Sequence, residues 1–266
     1  MLLVGDGIYD EYVYVKPQGK SPKENIITNR ILRSERFHGG VWAAAAHVEG
    51  FVERAVVLPG LQHIVKRRYV EDGYIRKLFE VHEAEAGDPQ EDPVYSDYDL
   101  VVVTDFGHGA ITPEMIENMI RGSRFLAVNA QTNSANLGFN LITKYRHADY
   151  VVLDELEARL AAHDRDSPIE KIIEKLGFKR IVVTLGPNGA IGYDGDFHRS
   201  PGMTKQIVDT MGAGDAFFCV TAPFAAAGAD MSDLLAIGNA AGAIKCGVVG
   251  HRTSVDLASL MAYLNI

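Results

Sequence analysis

Short apolar runs recur along this chain, each closed by a glycine, a carboxylate or a turn former. Residues 1–4 form such a run and end at Gly5-Asp6-Gly7. Residues 54–58, 99–104, 125–128, 148–153 and 180–185 repeat the pattern. Apolar runs bounded by turn signals predict buried strands. Helical segments separate them through residues 99–215, which implies right-handed crossovers, a parallel sheet and helices on both faces. Helices are predicted over 41–48, opened by His38-Gly39-Gly40, and after Thr112, a cap followed by Pro113 at the first helical position. Further helices are expected over 216–229, kinked at Pro223, over 236–245 and over 255–264.

A second group of strands has a different character. Residues 12–16 and 26–37 read as strands joined by a loop over 16–25, which holds two prolines. Residues 67–70 and 74–81 read as a hairpin around Glu71-Asp72-Gly73, and 191–193 lead into another at Asp194-Gly195. Inserted between the first strand and the rest, the early strands suit a small sheet that covers a site. Residues 83–97 are acidic and contain proline, and read as a surface loop. Residues 206–209 deliver the chain to its most informative stretch.

That stretch is Asp209-Thr210-Met211-Gly212-Ala213-Gly214-Asp215, followed by the apolar Ala216-Phe217-Phe218. It reads as a loop turning directly into a helix. Gly212 and Gly214 let the backbone approach a ligand. The unpaired N–H groups of a helix's first turn, and its dipole, favour a phosphate. Asp215 then lies where a transferring phosphoryl group would arrive, and a carboxylate there can accept the proton of a substrate hydroxyl. A lone Gly-x-Gly-Asp is equally a glycine-rich helix start with a capping aspartate.

Composition narrows the classes. The 266 residues suit one large domain, and the 47% hydrophobic content can fill its core. The formal charge of −9 argues against a general nucleic-acid or membrane-surface role. Residues 1–77 nevertheless carry 12 basic and 9 acidic side chains, a mildly basic third that could meet a phosphorylated substrate or simply be solvated surface. Cys219 and Cys246, the two cysteines, sit in apolar helical contexts and read as buried thiols without metal spacing. No stretch reads as a signal peptide, and 216–229 is too short for a membrane span. The expected setting is cytoplasmic.

The motif Asp-Thr-x-Gly-Ala-Gly-Asp resembles the signature of the PfkB/ribokinase family of sugar kinases. The resemblance extends in order through Gly5-Asp6 with Asp10, Gly39-Gly40, Asp105-Phe106-Gly107-His108-Gly109, and Val183-Thr184-Leu185-Gly186 with Gly189. It implies a ribokinase-like three-layer sandwich with a mainly parallel central sheet and a small β lid, as one domain over 1–266. The lid would be built from roughly 12–37 and 66–82. Asp215 would be the catalytic base, and the amides of Gly212, Ala213 and Gly214 an anion hole. Asp10, Gly39, Gly40, Asp105 and His108 would face the substrate, with Asp6 supporting the loop. Thr184, Gly186, Gly189, Thr210 and Asn239 would line the nucleotide site. ATP and Mg²⁺ are the implied cofactors. Glu157 is the first candidate to hold Mg²⁺ through water and Glu155 the alternative, though helix starts favour acids anyway. The loop 250–254 would help enclose adenine and a monovalent cation, which makes K⁺ a further candidate.

The string at 105–109 is closest to bacterial heptose 7-phosphate kinases, which points to a sugar or sugar phosphate as acceptor. Three departures bear on it. Val41 and Trp42 follow the glycine pair where the family has an asparagine. His108 stands where the subgroup has lysine. Asn129 and Gln131 stand where relatives place charged residues. A nucleoside or other small alcohol therefore remains open as acceptor, as does a degenerate domain that only binds nucleotide or sugar. A homodimer through the lid is the assembly the resemblance suggests. A nucleotidyltransferase is often joined to heptose kinases; any such activity would be on another chain.

Overall fold

The computed structural model describes residues 1–60, 63–85, 87, 92–134, 136–204 and 207–266. Its strands are β1 (Leu2–Gly5), β2 (Gly7–Lys20), β3 (Ile27–Gly40), β4 (Val56–Pro59), β5 (His63–Glu71), β6 (Arg76–Glu85), β7 (Val101–Asp105), β8 (Leu126–Ala130), β9 (Tyr150–Asp154), β10 (Ile181–Thr184), β11 (Ala190–Tyr193) and β12 (Phe197–Ser200). Its helices are α1 (Val41–Val48), α2 (Pro113–Gly122), α3 (Glu155–Ala162), α4 (Ile169–Leu176), α5 (Ala213–Ala226), α6 (Met231–Cys246) and α7 (Leu257–Leu264).

The large sheet has the order β12-β11-β10-β9-β8-β7-β1-β4. Every pairing from β4 through β10 is parallel, and β10, β11 and β12 close the far edge antiparallel. Side chains alternate across a strand, so each apolar run serves two cores. Leu2, Val4, Val101, Val103 and Leu153 point to one face and pack with Met115, Ile116, Met119, Ala158 and Ile172 of α2, α3 and α4. Leu3, Val102, Val152 and Val182 point to the other and pack with Val41, Ala44, Phe217, Phe218 and Leu234 of α1, α5 and α6. Each such side chain contributes roughly 1.5–3 kcal/mol when fully buried. Two helix layers around one sheet result.

Local signals set the helix ends. Thr112 accepts from the Met115 N–H at 3.2 Å, with Pro113 in the first turn. α3 starts with a capping box, in which Asp154 accepts from the Glu157 N–H and Glu157 accepts from the Asp154 N–H. α5 runs through Pro223 to Ala226. Among the described residues no helix is long and apolar enough to cross a membrane.

The second sheet has the order β3-β2-β5-β6. β2 pairs antiparallel with β3 and parallel with β5. Its strands outrun the sequence expectation. Residues 16–20 continue β2 rather than forming a loop, and the turn shrinks to 21–26. The pairing shifts register between Pro17 and Gly19, so the proline sits at an irregularity where a missing N–H is tolerated. β6 likewise extends to Glu85, into the expected acidic loop, while residues 86 and 88–91 of that loop and residue 206 lie outside the described residues. Tyr12 and Tyr14 of β2 point down onto Val249 and Met211, which seats this sheet over the loops that follow α6 and precede α5.

Candidate active site

The parallel strands deliver their C-terminal ends to one edge, where open α/β sheets gather ligands. Asp6 follows β1, Asp105 ends β7, Gln131 follows β8, Asp154 ends β9 and Gly186 follows β10. The N-terminus of α5 faces the same edge. Gly212 enters it with φ 73°, a left-handed conformation that suits glycine, and no side chain caps the helix. The Ala213 N–H is drawn back to the Thr210 carbonyl at 3.3 Å. Gly212 and Gly214 therefore offer the better placed amides of the predicted anion hole.

Asp215 stands in the first turn of α5, on the wall of a polar chamber shared with Asn129, Gln131, Asp154, Glu157 and Thr184. Gln131 donates from Nε2 to Asp215 and, at 2.7 Å, to Asn129 Oδ1. Burial raises the Asp215 carboxyl, against the pull of His251 and Gln131, which makes its carboxylate a stronger base. Glu157 is pushed up to about 8 by burial first and the Asp154 charge second. Its two oxygens accept from the N–H groups of Thr132 and Asp154. Two carboxylates that disfavour each other's ionisation are a donor set that a divalent cation would relieve. Among the described residues no three His, Cys, Asp or Glu side chains gather as direct metal ligands, so water would complete the shell of Mg²⁺. Glu155 does not share the chamber; it pairs with Arg159 one turn along at 2.7 Å.

Across from Asp215 lies a second group of charges. Asp10 is buried, ion-paired to Arg68, with His251 Nε2 at 3.4 Å from its other oxygen. Burial alone would raise the Asp10 carboxyl, but the His251 hydrogen bond and the Arg68 charge hold it at about 2. The glycine pair is set by this packing. A Cβ on Gly39 would lie 2.0 Å from Asp10 Oδ2, and one on Gly40 would lie 2.2 Å from the Asp6 carbonyl. Trp42 packs against Gly7 and, with Tyr9 and His38, forms a small aromatic cluster.

Asp6 supports a loop, as expected, but the loop is 105–110. Its carboxylate accepts from the N–H groups of Phe106, His108 and Ala110 at 3.0–3.4 Å. Asp105 is held from behind by the Tyr145 hydroxyl at 2.6 Å and Lys144 at 2.5 Å. His108 carries a buried Nε2 that has no hydrogen-bond partner among the described residues. Burial, then the charges of Lys66 and His82, push it down to about 4. Lys66 is itself only 7% exposed, with its Nζ 5.6 Å from the Phe106 ring centroid, and no ion pair reaches it among the described residues. Nothing local in the sequence marks Lys66 as buried, because lysine defaults to the surface.

On the other side of Asp215, an apolar groove of about 350 Å³ includes Thr184, Gly186, Gly189, Thr210 and Asn239 with Met203 and Ile207. Such a groove suits an aromatic base. Asn239 ties α6 to the end of β12 by donating to the carbonyls of Ser200 and Pro201. Gly189 allows the 201–202 backbone to pass, since a Cβ there would lie 2.1 Å from the Ser200 carbonyl.

Two further residues were not singled out from sequence. Asp209 accepts from the Tyr12 hydroxyl at 2.7 Å, Lys77 at 2.9 Å and the Gly250 N–H at 3.0 Å. Its place at the head of the signature was the available signal. Lys245, 1% exposed, donates to the Gly250 carbonyl. The loop implied for a monovalent cation thus already holds an ammonium on the Gly250 carbonyl.

A model of the pfkB family of carbohydrate kinases matches residues 95–258. The bifunctional protein HldE of a Nitratiruptor species is 25% identical over 170 residues, covering 61% of this chain and 35% of that protein. HldE of a Bradyrhizobium species is 24% identical over 309 residues, covering 97% of this chain and 62% of that protein. The chain therefore matches only part of the length of these relatives. The nucleoside kinase of Methanocaldococcus jannaschii, an archaeal ribokinase-family member, aligns at TM-score 0.76 and 13% identity, covering 99% of this chain and 97% of its own. Ribokinase of Arabidopsis thaliana, complexed with ribose and ATP, aligns at TM-score 0.70 and 17% identity, covering 100% and 98%. These two likenesses show that the fold is ribokinase-like.

Proposed function

The chain belongs to the pfkB family of carbohydrate kinases, and from that premise we propose that it transfers the γ-phosphoryl group of ATP to a hydroxyl of a sugar or sugar phosphate, as a heptose 7-phosphate kinase does. The observation that carries the proposal is the position of Asp215. It lies in the first turn of α5, between the apolar groove and the group formed by Asp10, Lys66 and His108. Adenine occupies the groove, and the phosphates lie along the uncapped helix start. Asp10 orients the acceptor hydroxyl toward Asp215. As the new O–P bond forms, the hydroxyl proton passes to Asp215 and the bond to the β-phosphate oxygen breaks, releasing ADP. The amides of Gly212 and Gly214 stabilise charge on the transferring group. Mg²⁺, when bound, would neutralise phosphate charge, and Asp154 and Glu157 would hold it through water. The four-stranded sheet acts as a lid, which Asp209 ties to the phosphate loop.

A phosphorylated acceptor is favoured by the buried Lys66, which no ion pair reaches among the described residues, beside the buried His108 nitrogen. Burial lowers Lys66, while Asp10, Glu80 and Asp6 act on its charge only from beyond ion-pair distance, and an anionic substrate group in direct contact would stabilise it. Mg²⁺-dependent ATP consumption across sugars, hexose and heptose phosphates and nucleosides tests the proposal. Turnover with a sugar or sugar phosphate supports it. Turnover with nucleosides alone, or none beside intact nucleotide binding, overturns it in favour of a nucleoside kinase or a binding module.

The proposal includes a homodimer through the lid. Ile27, Ile31, Leu32, Phe79 and Val81 expose large apolar side chains on that sheet. A monomeric mass by light scattering at working concentration would count against it.

A further inference from the structure

Lys245 lies in the last turn of α6, where the carbonyl end of the helix dipole favours a cation. Its side chain runs inward, not to solvent. The ammonium donates to the Gly250 carbonyl, and the Gly250 N–H is held by Asp209. Its Cε passes beneath the anion-hole loop, so that a Cβ on Gly212 would lie 3.3 Å from it. Among the described residues no carboxylate forms an ion pair with Lys245; Asp209 and Asp215 act on its charge from further away. A buried charge whose bonded partner is a backbone carbonyl, with carboxylates beyond, has the surroundings of a bound monovalent cation. The ammonium is a compact point charge with three donors, and it meets carbonyl oxygens as a bare cation does.

We propose that the Lys245 ammonium fills a monovalent-cation seat beneath the 209–215 loop, so that this chain binds nucleotide without K⁺ or any other added monovalent metal. The proposal rests on the kinase reading for its consequence but not for its geometry. Lys245 is a positioning residue. It joins the loop after α6 to the phosphate-binding turn and carries an ammonium beneath Gly212. That charge also bears on its neighbours: burial first, then Lys245 and His251, push buried His47 down to about 3.

The test compares Mg·ATP affinity by calorimetry in KCl and in tetramethylammonium chloride of equal ionic strength. Wild type should bind equally in both, within about twofold. Lys245→Ala should bind about tenfold or more weakly in tetramethylammonium, the scale of one charge-assisted hydrogen bond, and recover when K⁺ or ammonium is added. A purely structural lysine would show no such rescue, and that outcome overturns the proposal, as does tenfold tightening of the wild type by K⁺. Crystals of the wild type soaked in thallium salt provide a readout independent of nucleotide. No anomalous peak at the Gly250 carbonyl supports the proposal and a peak there overturns it, also where Lys245→Ala fails to fold. Wild type that binds no Mg·ATP in either salt would overturn the kinase reading, and the thallium map would still decide this one.

Discussion

The Tyr12 hydroxyl donates to the Asp209 carboxylate at 2.7 Å, which joins the middle of the four-stranded sheet to the first residue of the phosphate loop. Both groups are buried, and Lys77 reaches the same carboxylate from β6 at 2.9 Å. Burial would raise Asp209, but Lys77 and Tyr12 hold it at about 2. The sheet therefore touches the loop through a charge-assisted network as well as through the apolar contacts of Tyr12 and Tyr14.

Tyr12→Phe removes one donor from that network while keeping the ring. Hydrogen bonds to charged groups contribute about 1.5–3 kcal/mol, so urea denaturation should show a loss of that order. The KM for ATP should rise with it, because Asp209 also anchors Gly250. An unchanged midpoint and an unchanged KM would dissociate the sheet from the loop.

Lys66→Met should raise the KM for a phosphorylated acceptor by about tenfold or more, the scale of one charge-assisted hydrogen bond. The KM for ATP should stay near the wild-type value, since the groove lies on the other side of Asp215. Steady-state kinetics with both substrates varied separates the two. Equal loss for both would contradict the placement of Lys66 on the acceptor side.

Buried His47 and His108, pushed down to about 3 and 4, favour the folded state increasingly as pH rises to about 6.5, so the fall in stability from the raised carboxyls should show between pH about 6.5 and about 8. Glu157 is raised to about 8 and Asp6 to about 6, both by burial first. Each binds its proton more tightly folded than unfolded, so its contribution is present below an unfolded pKa of about 4 and is lost as pH climbs through the folded value. Asp10 and Asp209, held at about 2, act in the opposite sense and only below pH about 4. Glu157→Gln keeps an acceptor for one of the Thr132 and Asp154 amides, removes the titrating proton and should flatten the slope above pH about 6, whatever constant stability the second amide costs. Urea midpoints of both proteins between pH 5 and 8.5 check this; parallel slopes would contradict it.

Much of this arrangement was legible because it is local. The apolar runs at 1–4 and 99–104, the Thr112-Pro113 helix start and the glycines before Asp215 each carry their structure within a few residues. What was illegible depends on distant partners. The pairing of Pro17 with Asn29 keeps β2 extended past its predicted end. Tyr145 and Lys144, which hold Asp105 from behind, lie far along the chain and leave no local mark beside it. Glu155 and Glu157 are equivalent in sequence, and the capping box turns only Glu157 to the chamber. Lys66 and Lys245 carry no local sign of burial, since lysine defaults to the surface; only the strand and helix packed around them draw them in.

Asp215 decides the central claim. Replacing it with asparagine keeps its size and leaves the turn and the groove in place. Turnover of Mg·ATP with the best acceptor should then be compared between wild type and Asp215→Asn, with ATP affinity measured on both. The predicted result is a kcat lower by about 10²–10⁴ with ATP affinity within a few-fold of wild type. An asparagine variant that turns over within about tenfold of wild type would remove Asp215 as the base and contradict the mechanism built around it.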